Sequence, residues 1–405
     1  MATPAQHSAS WRQSPAVVAG FLGVAQIFAW GCSVYLVAVL ARPIAAETGW
    51  PLELIFGGLS LGFAVSSFVS PLVGSLIQSH GGRPVLMTSS ALFTVGLVVL
   101  ALAHRPATYL GGWAVLGLAM GSGLYDPAFA SLGRLYGREA RAAITYTTLY
   151  GGFASTVCWP LAALIVGHAG WRVACLGFAA INLLVCLPLY AFGLPRPPPA
   201  PPTAVPAPAP ASPAHTPRAR LGAMVTLALS MALAALIAGA VSVQLPMLLE
   251  AQGLSLLRAV ALAGLFGPAQ VGARVLEATI GRRFHPLVSL LVASLATAGG
   301  LALLGFGESL LGLGVVVYGA GSGIRSIARG TVPLALFGPE GYARLMGRLA
   351  LPALLAQAVA PLLAAVALRH VGLAAMLPLF AAAAGANALL AVALLLRYRP
   401  ARSRG

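Results

Sequence analysis

The sequence predicts an all-α membrane protein with twelve transmembrane helices arranged as two six-helix bundles, on the evidence of its scarce charges, its apolar runs and an internal repeat. Of the 405 residues, 59% are hydrophobic and only 8% are charged, whereas soluble domains carry about 25% charged residues. A larger core does not account for this deficit. A surface that is also apolar needs an apolar solvent, and that solvent is lipid.

Twelve apolar runs are long enough to cross a bilayer, which takes about 20 helical residues. In the first half we place them at 16–41, 54–77, 84–103, 108–133, 142–167 and 171–193. In the second half we place them at 221–249, 256–281, 286–306, 309–332, 345–368 and 371–396. The first run exceeds the length of a signal-peptide core, so we expect it to be a retained helix.

A proline-rich segment separates the two halves, with eleven prolines between Pro195 and Pro217. Proline removes an amide donor and fixes φ, so this stretch predicts an extended linker and not a helix. The predicted organisation is therefore a six-helix bundle over residues 1–193, a cytoplasmic linker over 194–220 and a second six-helix bundle over 221–405.

The arginines predict the orientation. All 24 basic residues are arginines, and with the N-terminus inside, sixteen fall in cytoplasmic segments and five on the opposite face. Cytoplasmic loops of membrane proteins carry such an excess, so we predict both termini in the cytoplasm, at the inner membrane of a bacterium. The net charge of +16 does not cluster on one polar domain, which argues against nucleic-acid binding.

The two halves resemble each other in sequence. GSGLYDPAFASLGRLYG at 121–137 aligns with GSGIRSIARGTVPLALFG at 321–338, and Pro160 aligns with Pro361 at nearly the same offset. Matches at nearly one offset indicate duplicated halves of the parallel-repeat kind found in transporters.

A motif between the second and third predicted helices points to a family. Residues 74–84 read GSLIQSHGGRP, which is similar to the G-x-x-x-D-R-x-G-R-R signature of the major facilitator superfamily. Gly74, Gly82 (or its neighbour Gly81) and Arg83 match that signature. The resemblance implies the fold of two six-helix bundles, a secondary transporter that works by alternating access, and a gating loop formed by Gly74, Gln78, Gly82 and Arg83.

The chain also departs from that pattern. Gln78 and Ser79 replace the usual acid and base of the signature, so Gln78 can hydrogen-bond but brings no charge. The stretch Glu47–Trp50 resembles the step after the first helix of monocarboxylate porters and oxalate–formate antiporters. Trp113 stands where drug–proton antiporters carry an arginine, which weakens an efflux interpretation.

Five ionisable side chains fall inside predicted membrane helices: Asp126, Arg274, Glu277, Arg325 and Arg329. Each costs about 2.5–3.5 kcal/mol to insert at mid-membrane, so each calls for a partner or a function. Arg274 and Glu277 are three residues apart and share a helix face, which predicts either a local ion pair or an Arg274 that faces the cavity and binds a carboxylate. The resemblance favours the second alternative, because oxalate-type relatives place a substrate-pairing arginine on the eighth helix, at the position of Arg274.

Arg325 and Arg329, four residues apart, also share a face. The repeat alignment places Arg325 opposite Tyr125, next to Asp126. The resemblance implies that the fourth and tenth helices face each other across the central cavity, so we expect an Asp126–Arg325 pair, with packing of Asp126 against Arg134 or a loop arginine as the alternative. Arg329 either faces the cavity or snorkels to the cytoplasmic surface.

Three of these five groups are arginines and two are acids, so the membrane interior carries one excess positive charge. This excess predicts an anionic small-molecule substrate, such as a monocarboxylate. All seven histidines lie in predicted loops or tails, so Asp126 or Glu277 would carry the proton if transport is proton-coupled. The alternatives are an efflux pump for hydrophobic or cationic compounds and a non-transporting membrane receptor.

Three polar or aromatic side chains complete the predicted substrate-binding set of Arg274, Arg325, Arg329 and Asp126. Gln26 and Trp30 share a face of the first helix, and Tyr150 lies deep in the fifth, whereas Tyr35 is expected to be an interfacial aromatic. No GxxxxGK[ST], HExxH or GxSxG motif is present, and the four cysteines lie within apolar runs. We therefore expect no enzyme, no ATP-driven pump, no cofactor and no metal site.

Overall fold

The computed structural model describes residues 14–195, 217–250 and 252–398. Every regular element within these ranges is a helix. Most of the predicted linker and the N-terminal tail lie outside the described residues. The division into two domains at that linker stays a prediction.

The first half contains six helical segments. They are α1 (Pro15–Thr48), α2 (Leu52–His80), α3 (Gly82–Ala101), α4 (Pro106–Gly123 and Tyr125–Tyr136), α5 (Ala140–Gly151, continuing from Ala154) and α6 (which ends at Gly193). Gly170, with φ of 82°, breaks the helix Ala154–Ile181 and divides α5 from α6.

The second half repeats the arrangement. Its segments are α7 (Pro217–Glu250), α8 (Leu256–Ala263 and Phe266–Thr279), α9 (Pro286–Leu303), α10 (Glu308–Phe337), and α11 and α12, which share the helix Tyr342–Arg397. Gly372, with φ of 74°, breaks that helix at a position equivalent to Gly170.

Ten helical runs of the described residues are long and apolar enough to cross a membrane. One of them, Pro106–Gly193, contains 88 residues. A straight helix of that length would extend about 130 Å, far more than a hydrocarbon core of about 30 Å. The breaks that separate α4, α5 and α6 fall within this run, and they support the predicted count of twelve crossings.

Large apolar side chains cover the outside of the bundle. Leu184, Phe192, Leu257 and Leu389 each expose 70% or more of their surface. Such a surface is stable in lipid, where the helices satisfy their own backbone hydrogen bonds. The protein is therefore an integral membrane protein.

Two π-helical turns modify the first half. One occupies Gly31–Tyr35 in α1 and the other Asn182–Cys186 in α6. Ser90 of α3 donates a hydrogen bond of 2.7 Å to the carbonyl of Asn182, which anchors the second turn. A π turn closes an i→i+5 hydrogen bond, so it rotates the residues that follow relative to those before it.

The halves meet through α2 and α11, α5 and α8, and α4 and α10. We call the inner face the end of the bundle that carries His80–Gly82, Gly137–Glu139, Gly281–Arg283 and Gly338–Gly341. This face is the one that the arginines predict to be cytoplasmic. There the halves touch directly, as Tyr342 of α11 packs on Gly133 of α4.

Candidate functional site

A cavity lies between the two halves. Its lining comes from α1, α2, α4, α10 and α11 and comprises Trp30, Ser70, Met120, Gly121, Leu124, Tyr125, Asp126, Pro127, Arg329, Leu354 and Gln357. Most of these side chains are apolar or aromatic, and the charged ones are a single acid and a single arginine. Binding sites for small molecules have this character, with a few polar groups in an apolar cleft.

A break in α4 positions the acid. Leu124 has extended backbone angles (φ −79°, ψ −162°), and a new helical piece starts at Tyr125. Asp126 therefore lies in the first turn of that piece, where the helix dipole favours a negative charge. Gln26 of α1 donates a hydrogen bond of 2.7 Å to the carbonyl of Gly123, next to the break.

Gln26 is thus buried and supports the break in α4, and it is not among the residues that line the cavity. Tyr150 does not line it either. The Tyr150 side chain is 43% exposed and packs on Gly23 of α1. Trp30 does line the cavity, as predicted for its face of α1.

Asp126 forms a bidentate ion pair with Arg329 of α10. Nε of Arg329 donates to Oδ1 at 2.7 Å and Nη2 donates to Oδ2 at 2.5 Å. The pair joins the two halves across the cavity. The predicted pairing with Arg325 is therefore wrong by one helical turn, and Arg329 does not snorkel to the surface.

Arg325 is instead held by uncharged groups of its own half. It donates at 2.8 Å to the carbonyl of Ala234 on α7 and at 3.3 Å to Oγ of Ser322. Gln270 of α8 donates to the same Ser322 oxygen at 2.9 Å. No acid pairs with Arg325 in the part of the chain that the structure describes.

Arg274 on α8 is also held by uncharged groups. Its Nε donates to Oγ of Ser326 at 3.0 Å and its Nη1 to the carbonyl of Thr148 on α5 at 3.2 Å. The residue is only 6% exposed, and no acid pairs with it among the described residues. A methyl group added at Gly152 of α5 would overlap Nη1, so this glycine makes room for the guanidinium.

Glu277 pairs elsewhere, so the predicted local pair with Arg274 does not form. Ser289 of α9 donates to its Oε1 at 2.6 Å, and Nη2 of Arg141 lies 3.9 Å from the same atom. Arg141 belongs to α5 and also donates to the carbonyl of Gly281 at 3.2 Å. Glu277 therefore belongs to a contact between the halves near the inner face.

These pairings change the predicted charge balance. Asp126 is neutralised by Arg329, and Glu277 faces Arg141. Arg274 and Arg325 remain without a carboxylate among the described residues. Arg141 adds one positive charge to the five groups counted from the sequence, so the predicted excess of one positive charge becomes an excess of two.

His285 lies in the loop between α8 and α9, close to Arg141. Burial lowers the pKa of His285 from its usual value, and the nearby Arg141 charge lowers it further. The ring is therefore neutral at physiological pH, and its Nδ1 accepts a hydrogen bond from the Leu287 amide at 3.3 Å. In this role it caps the first turn of α9.

Five aromatic rings from α4, α1 and α5 form a continuous row, which we call the aromatic wall. The wall was not predicted from the sequence. Its successive ring centroids lie 5.2, 5.0, 6.4 and 5.7 Å apart, in the order Phe129, Tyr125, Trp30, Tyr35 and Trp159. Tyr35, expected at the membrane interface, instead contacts Trp30 and Trp159.

The predicted gating loop takes part in the inner-face contacts. A Cβ at Gly74 would come within 2.5 Å of the carbonyl of Ala343 and 3.0 Å of Cα of Gly347, so α2 and α11 touch through their backbones. Gly82 packs on the side chain of Ser131 of α4, within the first half. The carbonyl of Gln78 accepts a hydrogen bond from Arg134, which therefore does not pair with Asp126.

Comparison with known proteins identifies relatives. The family model described as Major Facilitator Superfamily matches residues 20–328. Monocarboxylate transporter 11 of Mus musculus is 33% identical over 150 residues, covering 35% of this chain and 33% of that protein. Monocarboxylate transporter 13 of Bos taurus is 31% identical over 153 residues, covering 37% and 33%. Each match thus spans about a third of the length of the curated relative.

Solved structures share the fold over nearly the whole chain. The human organic anion transporter MFSD10 (TETRAN) superposes with a TM-score of 0.70 at 20% identity, covering 94% of this chain and 99% of that one. The Major Facilitator Superfamily transporter FucP in the outward conformation superposes with a TM-score of 0.74 at 13% identity, covering 94% and 99%. At these identities the likeness shows a common fold.

Proposed function

The chain belongs to the Major Facilitator Superfamily, a family of membrane transporters and not of enzymes, and we propose that its cargo is a small organic anion such as a monocarboxylate. In this proposal it acts as a secondary transporter by alternating access. It resides in a bacterial inner membrane with both termini in the cytoplasm, as the arginine distribution predicts.

The observation that carries the proposal is the environment of Arg274. The Arg274 guanidinium is 6% exposed, and among the described residues it bonds only a hydroxyl and a carbonyl and meets no counter-ion. Such a charge is costly in a membrane. The carboxylate of a substrate supplies the missing counter-charge, and its two oxygens match the planar fork of donors on arginine.

The known relatives agree with this cargo. Two curated relatives are named monocarboxylate transporters, and one structural neighbour is named an organic anion transporter. These names belong to those proteins. They support an anionic cargo for this chain because the arginines without a carboxylate partner also favour a negatively charged ligand.

Proton coupling is assigned in the proposal to Asp126. Its ion pair with Arg329 joins the halves, so it has to open when the halves separate around the cavity. Protonation of Asp126 removes the charge that holds Arg329 and frees that guanidinium for an anion. Proton and anion would then bind together, which is the requirement for symport. Glu277, in the contact near the inner face, is the second candidate acid.

A thermal-shift screen of the purified protein tests the proposal. The panel contains small carboxylates, sugars and hydrophobic cations, each added to wild type, Arg274→Gln and Arg42→Gln. Arg42 is an exposed arginine of α1 and serves as the matched control. We expect carboxylates to stabilise wild type and Arg42→Gln but not Arg274→Gln. Stabilisation by cations alone would contradict the proposal and favour the efflux alternative.

A further inference from the structure

We propose that the organic acid carried by this protein contains a planar aromatic ring, and that this ring binds against the aromatic wall. This inference rests on the proposed function, since it assigns a body to the carboxylate that Arg274 is proposed to bind. The observation behind this inference is the row of uncharged rings, whereas the observation behind the proposed function is the unpaired charge of Arg274.

The wall is continuous, and its exposed end is Trp159. Neighbouring ring centroids are 5.0–6.4 Å apart, within the range in which aromatic pairs attract each other. Phe129 is fully buried, Tyr125 is 8% exposed, and Trp159 is 44% exposed. The exposure therefore rises along the row away from the inner face.

A row of rings that only filled the core would be buried throughout. Here the middle rings, Trp30 and Tyr125, line the cavity between the halves. A planar ligand that reaches the cavity consequently meets ring faces and edges. It can replace water there by the same offset or edge-to-face contacts that the side chains make with one another.

The π turn of α1 is what completes the wall. Trp30 and Tyr35 are five residues apart, and in a regular α-helix they would point about 140° away from each other. The π turn Gly31–Tyr35 widens the helix to an i→i+5 register, which brings the two rings to 6.4 Å. Single π-helical turns inside α-helices often lie at functional sites.

The wall also reaches the positive charge. A methyl group at Gly151 of α5 would overlap the hydroxyl of Tyr125, and one at the adjacent Gly152 would overlap the guanidinium of Arg274. The phenol and the guanidinium thus pack against two consecutive glycines of α5. In the proposal the ring of the acid lies against Trp30 and Tyr125, and its carboxylate reaches Arg274, which lies behind the residues that line the cavity.

Trp30 contributes one polar group to the aromatic wall. Its Nε1 is buried and has no hydrogen-bond partner among the described residues. A buried donor without a partner is costly, and an acceptor on the ligand would satisfy it. Trp30 is therefore the residue we expect to decide specificity.

A competition assay with acids of equal charge tests the inference. Phenylacetate, cyclohexylacetate and acetate are titrated against wild-type protein in a thermal-shift or uptake measurement. Phenylacetate and cyclohexylacetate have nearly the same size, but only the first is planar and aromatic. We expect phenylacetate to half-saturate at a concentration about tenfold lower than cyclohexylacetate does.

Substitutions at Trp30 distinguish the contribution of its aromatic ring to binding from the contribution of its N–H group. Trp30→Leu should abolish the preference for phenylacetate, whereas Trp30→Phe should keep most of it. Trp50→Leu, at a tryptophan outside the wall, is the control and should change nothing. If Trp30→Leu does not fold, Tyr35→Leu addresses the same wall at the next ring.

The outcomes distinguish the two proposals. Equal potency of the aromatic and the saturated acid, or an unchanged preference in a folded Trp30→Leu or Tyr35→Leu protein, overturns the aromatic inference and leaves the anion proposal standing. If none of the three acids binds while other ligand classes do, the proposed function itself fails.

Discussion

At the scale of single residues, the arginines of the second half differ in how their charge is balanced. Arg329 meets the carboxylate of Asp126 with two hydrogen bonds. Arg274 and Arg325 receive only hydroxyl and carbonyl oxygens. Neutral acceptors solvate a charge without cancelling it. The two guanidiniums therefore have no counter-charge among the described residues, and the proposal assigns that role to the anionic cargo.

Gly152 should matter for the position of Arg274 although it carries no side chain. We expect Gly152→Ala to displace the guanidinium and to weaken carboxylate binding by about tenfold or more, since the methyl group would occupy the place of Nη1. The charge itself is retained in this variant. The measurement is the half-saturating concentration of a carboxylate in a thermal-shift titration.

Gly111→Ala on α4 is the matched control, because a methyl group there would meet no atom within 4 Å. It should bind carboxylate like the wild type. Wild-type affinity in Gly152→Ala would show that Arg274 does not need the space above Gly152.

The Asp126–Arg329 pair should behave as one unit. Removing one partner leaves the other buried and uncompensated, and each of Asp126→Asn and Arg329→Gln should destabilise the protein by up to about 3–5 kcal/mol. The double variant should lose clearly less than the sum of the two single effects. Chemical denaturation of the four proteins in detergent measures this coupling.

Asp126→Asn also tests the proton proposal. An amide cannot release a proton at physiological pH, so uptake by this variant should no longer respond to a pH gradient. Equal responses of Asp126→Asn and wild type to the gradient would remove Asp126 from the coupling mechanism and leave Glu277 as the candidate.

At the scale of the elements, departures from regular helix build the site. The break at Leu124 places Asp126 at a helix start, and the π turn of α1 aligns Trp30 with Tyr35. Each departure is supported from a neighbouring helix or ring, as by Gln26 at the carbonyl of Gly123. These distortions concentrate around the cavity, where they position side chains that a straight helix would turn away.

The contact of α2 with α11 should control closure of the inner face. A large side chain at Gly74 would collide with the backbone of α11, so Gly74→Leu should keep the halves apart at this face and lower the rate of transport at least about tenfold. Gly57→Leu on the same helix, where an added Cβ meets nothing within 4 Å, should transport normally. Distances between spin labels across the inner face report the separation directly.

An unchanged label distance and transport rate in Gly74→Leu would show that this backbone contact is not part of the closed state. The gating role predicted for Gly74 would then have to be abandoned.

At the scale of the whole molecule, the halves touch at the inner face through contacts of α2, α4 and α5 with the second half. Gly74 meets Gly347, Gly133 meets Tyr342, and Arg141 bonds the carbonyl of Gly281. With the predicted orientation, this closure corresponds to a carrier whose cytoplasmic side is shut. In the further inference, the aromatic wall, whose exposed ring Trp159 lies away from that side, is the surface that the ligand contacts.

The sequence predicted the architecture because composition and apolar length depend little on local geometry. It also located Arg274, Arg329, Asp126 and Trp30 as polar or aromatic groups in an apolar bundle. The pairing of Asp126 was missed by one turn, because a repeat alignment fixes order along a helix and not rotation about its axis.

Other features of the site left no signal in a linear pattern. The π turn of α1 changes a helix face without any marker residue, and it moved Tyr35 from its predicted interfacial place into the wall. Arg141 lies just before the predicted helix 142–167, and nothing in the sequence pattern indicates that it approaches Glu277 across the halves. Such contacts depend on how the two bundles dock, which local periodicity does not encode.

Uptake of a labelled organic acid into proteoliposomes tests the central claim most directly. Wild type, Arg274→Gln and the control Arg42→Gln are reconstituted at equal density, and initial uptake of phenylacetate is measured with and without an inward proton gradient. We predict saturable uptake by wild type and Arg42→Gln, accelerated by the gradient, and none above protein-free vesicles for Arg274→Gln. Equal uptake by wild type and Arg274→Gln would contradict the account, since the unpaired guanidinium would then have no part in binding the cargo.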